Sequence, residues 1–346
     1  MPDSTVRVAE PPAVEAAPVA ARRAWPRRWL WPAIAIILVI AVAFPFVFND
    51  YLVRIATTVI MLAVLAESWN LIGGYAGYPS FGHAVFFGLG AYGAAVPMAK
   101  LGLPFPAGFA IGGLVSGLLA LAIGIPVLRL RGHYFAIATL GILSVMQQIV
   151  TNTDRLTGGG AGLSLPLPGM AVESFDELIY LVMLAVLIAS VLFTAWMARN
   201  RLGYGLVAIR ENEVAARVMG VNTTLYKVIA LTASGIFSGF AGATYAYWLS
   251  SLDPSVAFDY TYNVLLVIMA FFGGAGTVLG PVLGAAILGV VSEWLRGLLV
   301  QYHLLVFGVV IVLIVVFAPN GLLQLLRLGP RLSLASLLQN VRENRV

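Results

Sequence analysis

Apolar runs of about 17 to 25 residues recur along the chain, each long enough at roughly 1.5 Å per residue to cross a hydrocarbon core of about 30 Å. A backbone placed in lipid must satisfy its own hydrogen bonds, which leaves only helices or closed barrels. A barrel would show alternating segments of about 10 residues, and continuous apolar runs argue against it. Composition agrees: 60% of the 346 residues are apolar and 10% are charged, with a mean hydropathy of +0.95, far from a water-soluble domain. The expected fold class is therefore all-α, a polytopic helical membrane bundle. The absence of cysteine excludes disulfides, thiolate metal sites and cysteine nucleophiles.

The expected spans lie at 30–48, 52–72, 81–99, 106–128, 134–150, 178–198, 226–249, 262–279, 281–298 and 303–318, about ten, with eight to ten as the range. Residues 1–29, rich in Ala, Pro and Val, read as a disordered cytoplasmic tail. Residues 30–323 form the transmembrane domain, with a long charged loop at 199–227, and 324–346 form a C-terminal cytoplasmic tail. Ala41, Val42 and Ala43 resemble a signal-peptidase site, but the apolar run continues through Phe48 and favours a retained helix. With both termini inside, all but four of the twenty Lys and Arg residues fall on the inner side. The exceptions are Arg54, Lys100, Arg155 and Arg296, and the outer loop after Thr151 carries Asp154, Glu173, Asp176 and Glu177, as the positive-inside rule requires. The Gly-rich stretches 73–82 and 273–281 are open to two readings, loops or re-entrant and broken helices.

Many spans with little extramembrane mass point to transport. A P-loop needs a lysine within GxxxxGK[ST]; the only lysines are Lys100 and Lys227, and neither sits in such a motif. No nucleotide is hydrolysed by this chain, no metal site is expected, and no nucleic-acid partner is expected. Ion-coupled carriers bury carboxylates near the midplane, and the candidates are few: Glu67, with Asn70 one turn away, and Glu293. Each also fits an interfacial or paired group at a helix end. Within 199–227, Glu213 and Arg217 have the i,i+4 spacing of a helix ion pair, while Leu206, Val207, Val214, Val218 and Met219 supply apolar contacts. This reads as a short amphipathic surface helix, closed by Gly220 in a left-handed conformation, with Thr223 or Thr224 capping the next span. Its role is either a simple connector or a docking helix for an ATPase.

The segment NLIGGYAGYPSFGHAVFFGLGAY at 70–92 resembles the signature of the permease subunits of branched-chain amino acid ABC importers. Further matches follow in family order: LRLRGHYFAIATLG at 128–141, TGGGAGL at 157–163, RLGYGLVAIRENEVAARVMGVN at 201–222, GGAGTVLGPVLGA at 273–285 and FAPNGLL at 317–323. The resemblance covers about residues 30–323, and the motif forms are similar to the LivM type rather than the LivH type. It implies one half of a heterodimeric pore in the bacterial inner membrane, with a LivH-type sister permease, two cytoplasmic ATPases that bind ATP and Mg, and an external substrate-binding protein. No cofactor belongs to the chain itself. The family's RE.E.AA..MG loop carries the ATPase-coupling helix, and the matching positions are Arg210, Glu211, Glu213, Ala215, Ala216 and Gly220.

Gly73, Gly74, Gly77 and Gly82, and Gly273, Gly274, Gly276 and Gly280, are expected to allow close backbone packing or to break helices. The two patches echo each other, as an internal repeat or by chance. His83 matches the family's GH pair, as a structural donor or a substrate contact. Asn70, Ser80 and His83, with Glu67, are the candidate pathway residues. Glu67, Tyr78 and Pro79 depart from the family pattern. The cargo implied is a branched-chain or related hydrophobic amino acid; relatives also move urea, short amides and aromatic acids. An ion-coupled secondary transporter using Glu67 or Glu293 and a passive channel are the rival classes, and the coupling-loop match stands against both. A binding-only receptor would need a larger extramembrane segment.

Overall fold

A computed structural model describes residues 27–166, 169–298 and 308. The expected span at 303–318, the closing motif at 317–323 and nearly all of both tails lie outside the described residues. The chain divides into two units, Met1–Ala43 and Phe44–Val346; the first contributes most of helix α1 (Arg27–Val47).

The second unit is built from α2 (Asp50–Ile72), α3 (His83–Leu101), α4 (Phe105–Val127), α5 (His133–Thr151), the short α6 (Asp154–Thr157), α7 (Val172–Ala198), α8 (Arg201–Val218), α9 (Thr223–Leu249), the short α10 (Pro254–Ala257), α11 (Tyr260–Gly273) and α12 (Gly280–Leu298). Among the described residues seven helical segments are long and apolar enough to cross a membrane: α2, α3, α4, α5, α7, α9 and the α10–α11 pair. Two-residue strands β1 (Leu163–Ser164) and β2 (Ser251–Leu252) pair antiparallel, Leu163 opposite Leu252.

Small residues set the packing. In lipid, apolar side chains gain little by leaving the solvent for one another, so helices associate by close approach and interhelical hydrogen bonds. Gly90 of α3 lies against the Gly239 backbone of α9, Gly112 of α4 against Gly90 O, and Gly242 of α9 against Phe87 O. Ser116 Oγ of α4 lies 2.8 Å from Phe86 O and 2.7 Å from Gly235 O, sharing its one proton between carbonyls of two neighbouring helices. Around this trio α2 packs on α7, α9, α11 and α12, and Ser68 and Ser238 join α2 to α9 through a 2.8 Å hydroxyl pair.

The structure moves two expected boundaries by several residues. The span expected to run to 279 ends at Gly273, because Gly274 takes a positive φ that closes the helix. Glu173 and Asp176, expected in the outer loop before a span at 178, belong to the first turns of α7, which begins at Val172. Acidic side chains suit a helix N-terminus, and Asp176 is buried by bonds from Arg54 Nε (2.7 Å) and Trp248 Nε1 (3.0 Å). The remainder of the expected loop holds α6 and β1. Both Gly-rich stretches are turns joining consecutive helices, α2 to α3 and α11 to α12.

Charge is segregated between the two ends. Arg129, Arg131, Arg199, Arg201, Arg210, Arg217 and Lys227 gather at the end that holds both Gly-rich turns and α8. The opposite end holds Asp154, Glu173, Asp176 and Asp253 with the β1–β2 pair. Because Gly90 faces backbone, Gly90→Val has no side-chain rotamer to yield to it, and overpacking costs about 1–3 kcal/mol or more. The thermal midpoint of the purified protein in detergent, followed by tryptophan fluorescence, is expected to fall; an unchanged midpoint would contradict this packing.

Candidate functional site

At the basic end α8 is two helices rather than one. Its first part packs inward: Gly205 meets the Tyr226 ring, Gly203 meets Met197 O, and Leu206 and Ile209 are buried. Asn212 is then extended (φ −159°, ψ 105°) and breaks the helix. Its Oδ1 accepts from Ala215 N at 3.0 Å, so Asn212 caps a second, short helix. That helix ends as expected at Gly220, whose φ of +86° is costly for any residue with a Cβ. The next span is capped by Asn222, whose Oδ1 accepts from Leu225 N at 3.1 Å, and not by Thr223 or Thr224. Thr223 is buried and bonded by Arg217 instead.

The second helix has two unlike faces. Val218 and Met219 are 81% and 82% exposed, and Val214 and Ala215 are exposed beside them. A contiguous apolar face at the polar end of a membrane protein marks a contact surface. Glu211 is also exposed, whereas Ala216 is buried. Glu213, grouped with these residues by sequence, turns inward.

Glu213 is the hub of an ion cluster. Its Oε1 accepts from Lys227 Nζ at 2.8 Å, and its Oε2 accepts from Tyr78 OH at 2.6 Å. Arg131 Nε lies 3.3 Å from Oε2, and Arg217 makes the expected i,i+4 pair at 3.4 Å. Lys227, only 3% exposed, spends its remaining donors on Tyr78 OH (2.9 Å) and Leu128 O (3.1 Å), so a buried ammonium has all three protons accepted. Burial by itself would raise the Glu213 pKa. Hydrogen bonds from Lys227 and Tyr78 and the charges of Lys227 and Arg131 outweigh it and bring the carboxyl down from 4.5 to about 2.

Arg210, on the other side of the Asn212 break, threads between the two Gly-rich turns. Its NH1 donates to Gly74 O at 3.1 Å, and Nε and NH2 reach Glu211 Oε1 at 3.3 and 3.1 Å. A Cβ at Gly77 (φ +71°) would meet the Arg210 stem, and one at Gly276 (φ +77°) its guanidinium. Asn70 locks the same turns together, accepting from Gly276 N (2.7 Å) and donating to Thr277 O (2.9 Å). Gly273 and Gly280 face each other's backbones across the second turn; Gly73 is covered by the Trp69 ring, and Gly82 abuts Thr139. Gly274 closes α11 at φ +117°.

The four candidate pathway residues are fully buried or nearly so. Asn70 is engaged as described. Ser80 O accepts from Trp69 Nε1 at 2.7 Å, and Ser80 Oγ from Gly82 N at 3.4 Å. His83 Nε2 pairs with the Ser234 hydroxyl, and its ring stacks edge-on with Phe86. Glu67 is buried within α2 beside Thr194 of α7. Glu293 pairs with Arg296 at 3.1 Å. Sequence reasoning missed the cluster role of Tyr78, Arg131 and Lys227 and the break at Asn212. One signal was present: Lys227 is one of only two lysines and stands at the mouth of an apolar helix.

A carboxylate whose folded pKa is depressed contributes stability that is complete above its unfolded value, here 4.5, and is lost as pH falls through the folded value of about 2. Amide-exchange protection of residues 213–220, corrected for intrinsic rates, is therefore expected to stay constant from pH 7 to 5 in the native protein and to be lower throughout in Glu213→Gln. Protection that decays between pH 7 and 5 would contradict an ionised, cluster-bound Glu213.

Comparison with known proteins places this geometry in a family. Residues 51–315 match the family described as branched-chain amino acid transport system / permease component. The chain is 32% identical over 326 residues to the high-affinity branched-chain amino acid transport system permease protein LivM of Salmonella typhimurium, covering 87% of this chain and 76% of that one. It is 32% identical to LivM of Escherichia coli over 86% of this chain and 75% of that one. The galactose/methyl galactoside import permease protein MglC of Escherichia coli is a more distant relative, 28% identical over 58% of this chain and 60% of its own length. A match spanning every described membrane helix after α1 makes the chain a member of the family of branched-chain amino acid transport system permease components.

Proposed function

We propose that this chain is one of the two membrane-spanning halves of an ABC importer for branched-chain amino acids, working with a sister permease, two cytoplasmic ATPases that bind ATP and Mg, and an external substrate-binding protein. The observation that carries the reading is the 32% identity to LivM along 87% of the chain. The basic end, with α8, then faces the cytoplasm, in keeping with the positive-inside rule. Val214, Ala215, Val218 and Met219 supply the apolar contact with the ATPase, while Glu211, Arg210 and the chain reversal at Gly220 set register and direction. ATP is consumed by the partners; this chain's contribution is the path and the linkage.

Uptake into proteoliposomes tests the whole reading. Vesicles carrying this chain, its sister permease and the ATPases, with the substrate-binding protein outside, are expected to accumulate leucine only when both ATP and the binding protein are supplied, and not urea or an aromatic acid. Accumulation by this chain alone, driven by an ion gradient, would overturn the reading and redirect attention to Glu67. Met219→Asp and Glu211→Lys change exposed side chains and are expected to weaken co-purification of the ATPases by about ten-fold, as loss of an interface anchor does, with the thermal midpoint of the permease unchanged. Retained ATPase association in both would move the docking surface elsewhere.

A further inference from the structure

The exposed half-helix that follows Asn212 is too short to be stable alone, since helices of fewer than about 12 residues are marginal in water. It is held against the body of the protein by the buried Ala216, by Arg217 at the Thr223 hydroxyl and, through charge, by Glu213 at its first turn. Through that one carboxylate it is fastened to Lys227 in the first turn of α9, to Tyr78 in the α2–α3 turn, and to Arg131 in the α4–α5 turn. An apolar contact is soft and non-directional, whereas charge-assisted hydrogen bonds in a poorly solvated site are short, stiff and directional. The Asn212 break separates this anchorage from that of Arg210, so the half-helix and the first part of α8 are tied to different parts of the structure.

The far side of the joint is a rod. Helix α9 runs from Thr223 to Leu249 and packs on α3 and α4 along its length. It leads directly into β2, which is paired with β1 at the opposite end, where Tyr92 OH also donates to Leu252 O at 3.2 Å. Lys227 and the β1–β2 contact thus stand near the two ends of one continuous stretch, α9 and the strand that follows it.

We infer that the Glu213–Lys227 pair is a positioning joint that transmits movement of the docking half-helix to α9, so that breaking it separates ATP hydrolysis from uptake without preventing assembly. The inference rests on the importer reading above. Neither residue touches cargo or nucleotide; both act through the elements they tie together.

The test is the ratio of ATP hydrolysed to leucine taken up by the full reconstituted complex, for the native chain, Glu213→Gln, Lys227→Met and Lys227→Arg. In Glu213→Gln and Lys227→Met the ATPases are expected to remain bound and active while uptake falls, so that the ratio rises about ten-fold, within the range that perturbing a coupling network produces. Lys227→Arg, which keeps the charge, is expected to restore most of the coupling. A native ratio in both disrupting variants overturns the inference. So does a proportional fall of hydrolysis and uptake, or loss of the assembled complex, because either assigns the cluster to assembly or folding. Failure of the importer reading is distinguishable, since it would appear in the native chain as uptake independent of ATP or of the binding protein.

Discussion

Helices in a bilayer have no solvent to escape from, and the arrangement of this protein follows from that constraint. Leu and Val side chains are as comfortable in lipid as in a core, so the α3–α4–α9 contact cannot rest on them. It rests on backbone approach at Gly90, Gly112, Gly239 and Gly242 and on hydroxyls such as Ser116 that bond a neighbour's carbonyl. Some large apolar side chains of these helices, Leu114 and Leu118 among them, are left on outward faces where lipid can cover them, while others such as Phe87 and Leu231 are buried.

Polar chemistry is correspondingly displaced to the two ends, and the ends differ. At one, turns built on positive-φ glycines admit the Arg210 side chain, and Glu213 gathers Tyr78, Arg131 and Lys227 from three other stretches of chain beside Arg217 of its own helix. At the other, Asp176 plays the gathering role with Arg54 and Trp248, and two short strands pair. In both places a carboxyl group that would be costly to bury alone is surrounded by hydrogen-bond donors, which offset the cost of taking it out of bulk water. Glu67 contrasts with them: it is buried within α2 with no cation paired to it among the described residues.

Much of the fold was legible because its signals are local. The length of an apolar run reports a span, Gly220 reports a helix end, and the i,i+4 spacing of Glu213 and Arg217 reports a pair, each without reference to distant residues. Other features were not legible because they depend on what stands opposite. Glu213 reads as a surface residue beside Glu211 until the break at Asn212 rotates it inward toward Lys227. Thr223 and Thr224 look like caps, yet Asn222 takes that role because Arg217 and burial occupy Thr223. Glu173 and Asp176 lower the apolarity of a stretch that is nonetheless helical, since Arg54 pairs with the second of them and Trp248 donates a hydrogen bond to it, both from far away in sequence.

By itself the sequence determined the class, a multi-pass helical bundle, along with most of its helices and the separation of basic from acidic ends, because hydrocarbon thickness and charge asymmetry act on contiguous segments. Tertiary structure alone decided which charges are paired and which are presented. It turned one residue of the RENE run inward as the hub of a cluster and left its neighbour exposed, interlocked the two Gly-rich turns around Arg210, and joined the half-helix after Asn212 to α9 through Lys227. The reason is physical: the energy of an ion pair depends on distance and on how much water surrounds it, and neither quantity exists until separate segments have been brought together.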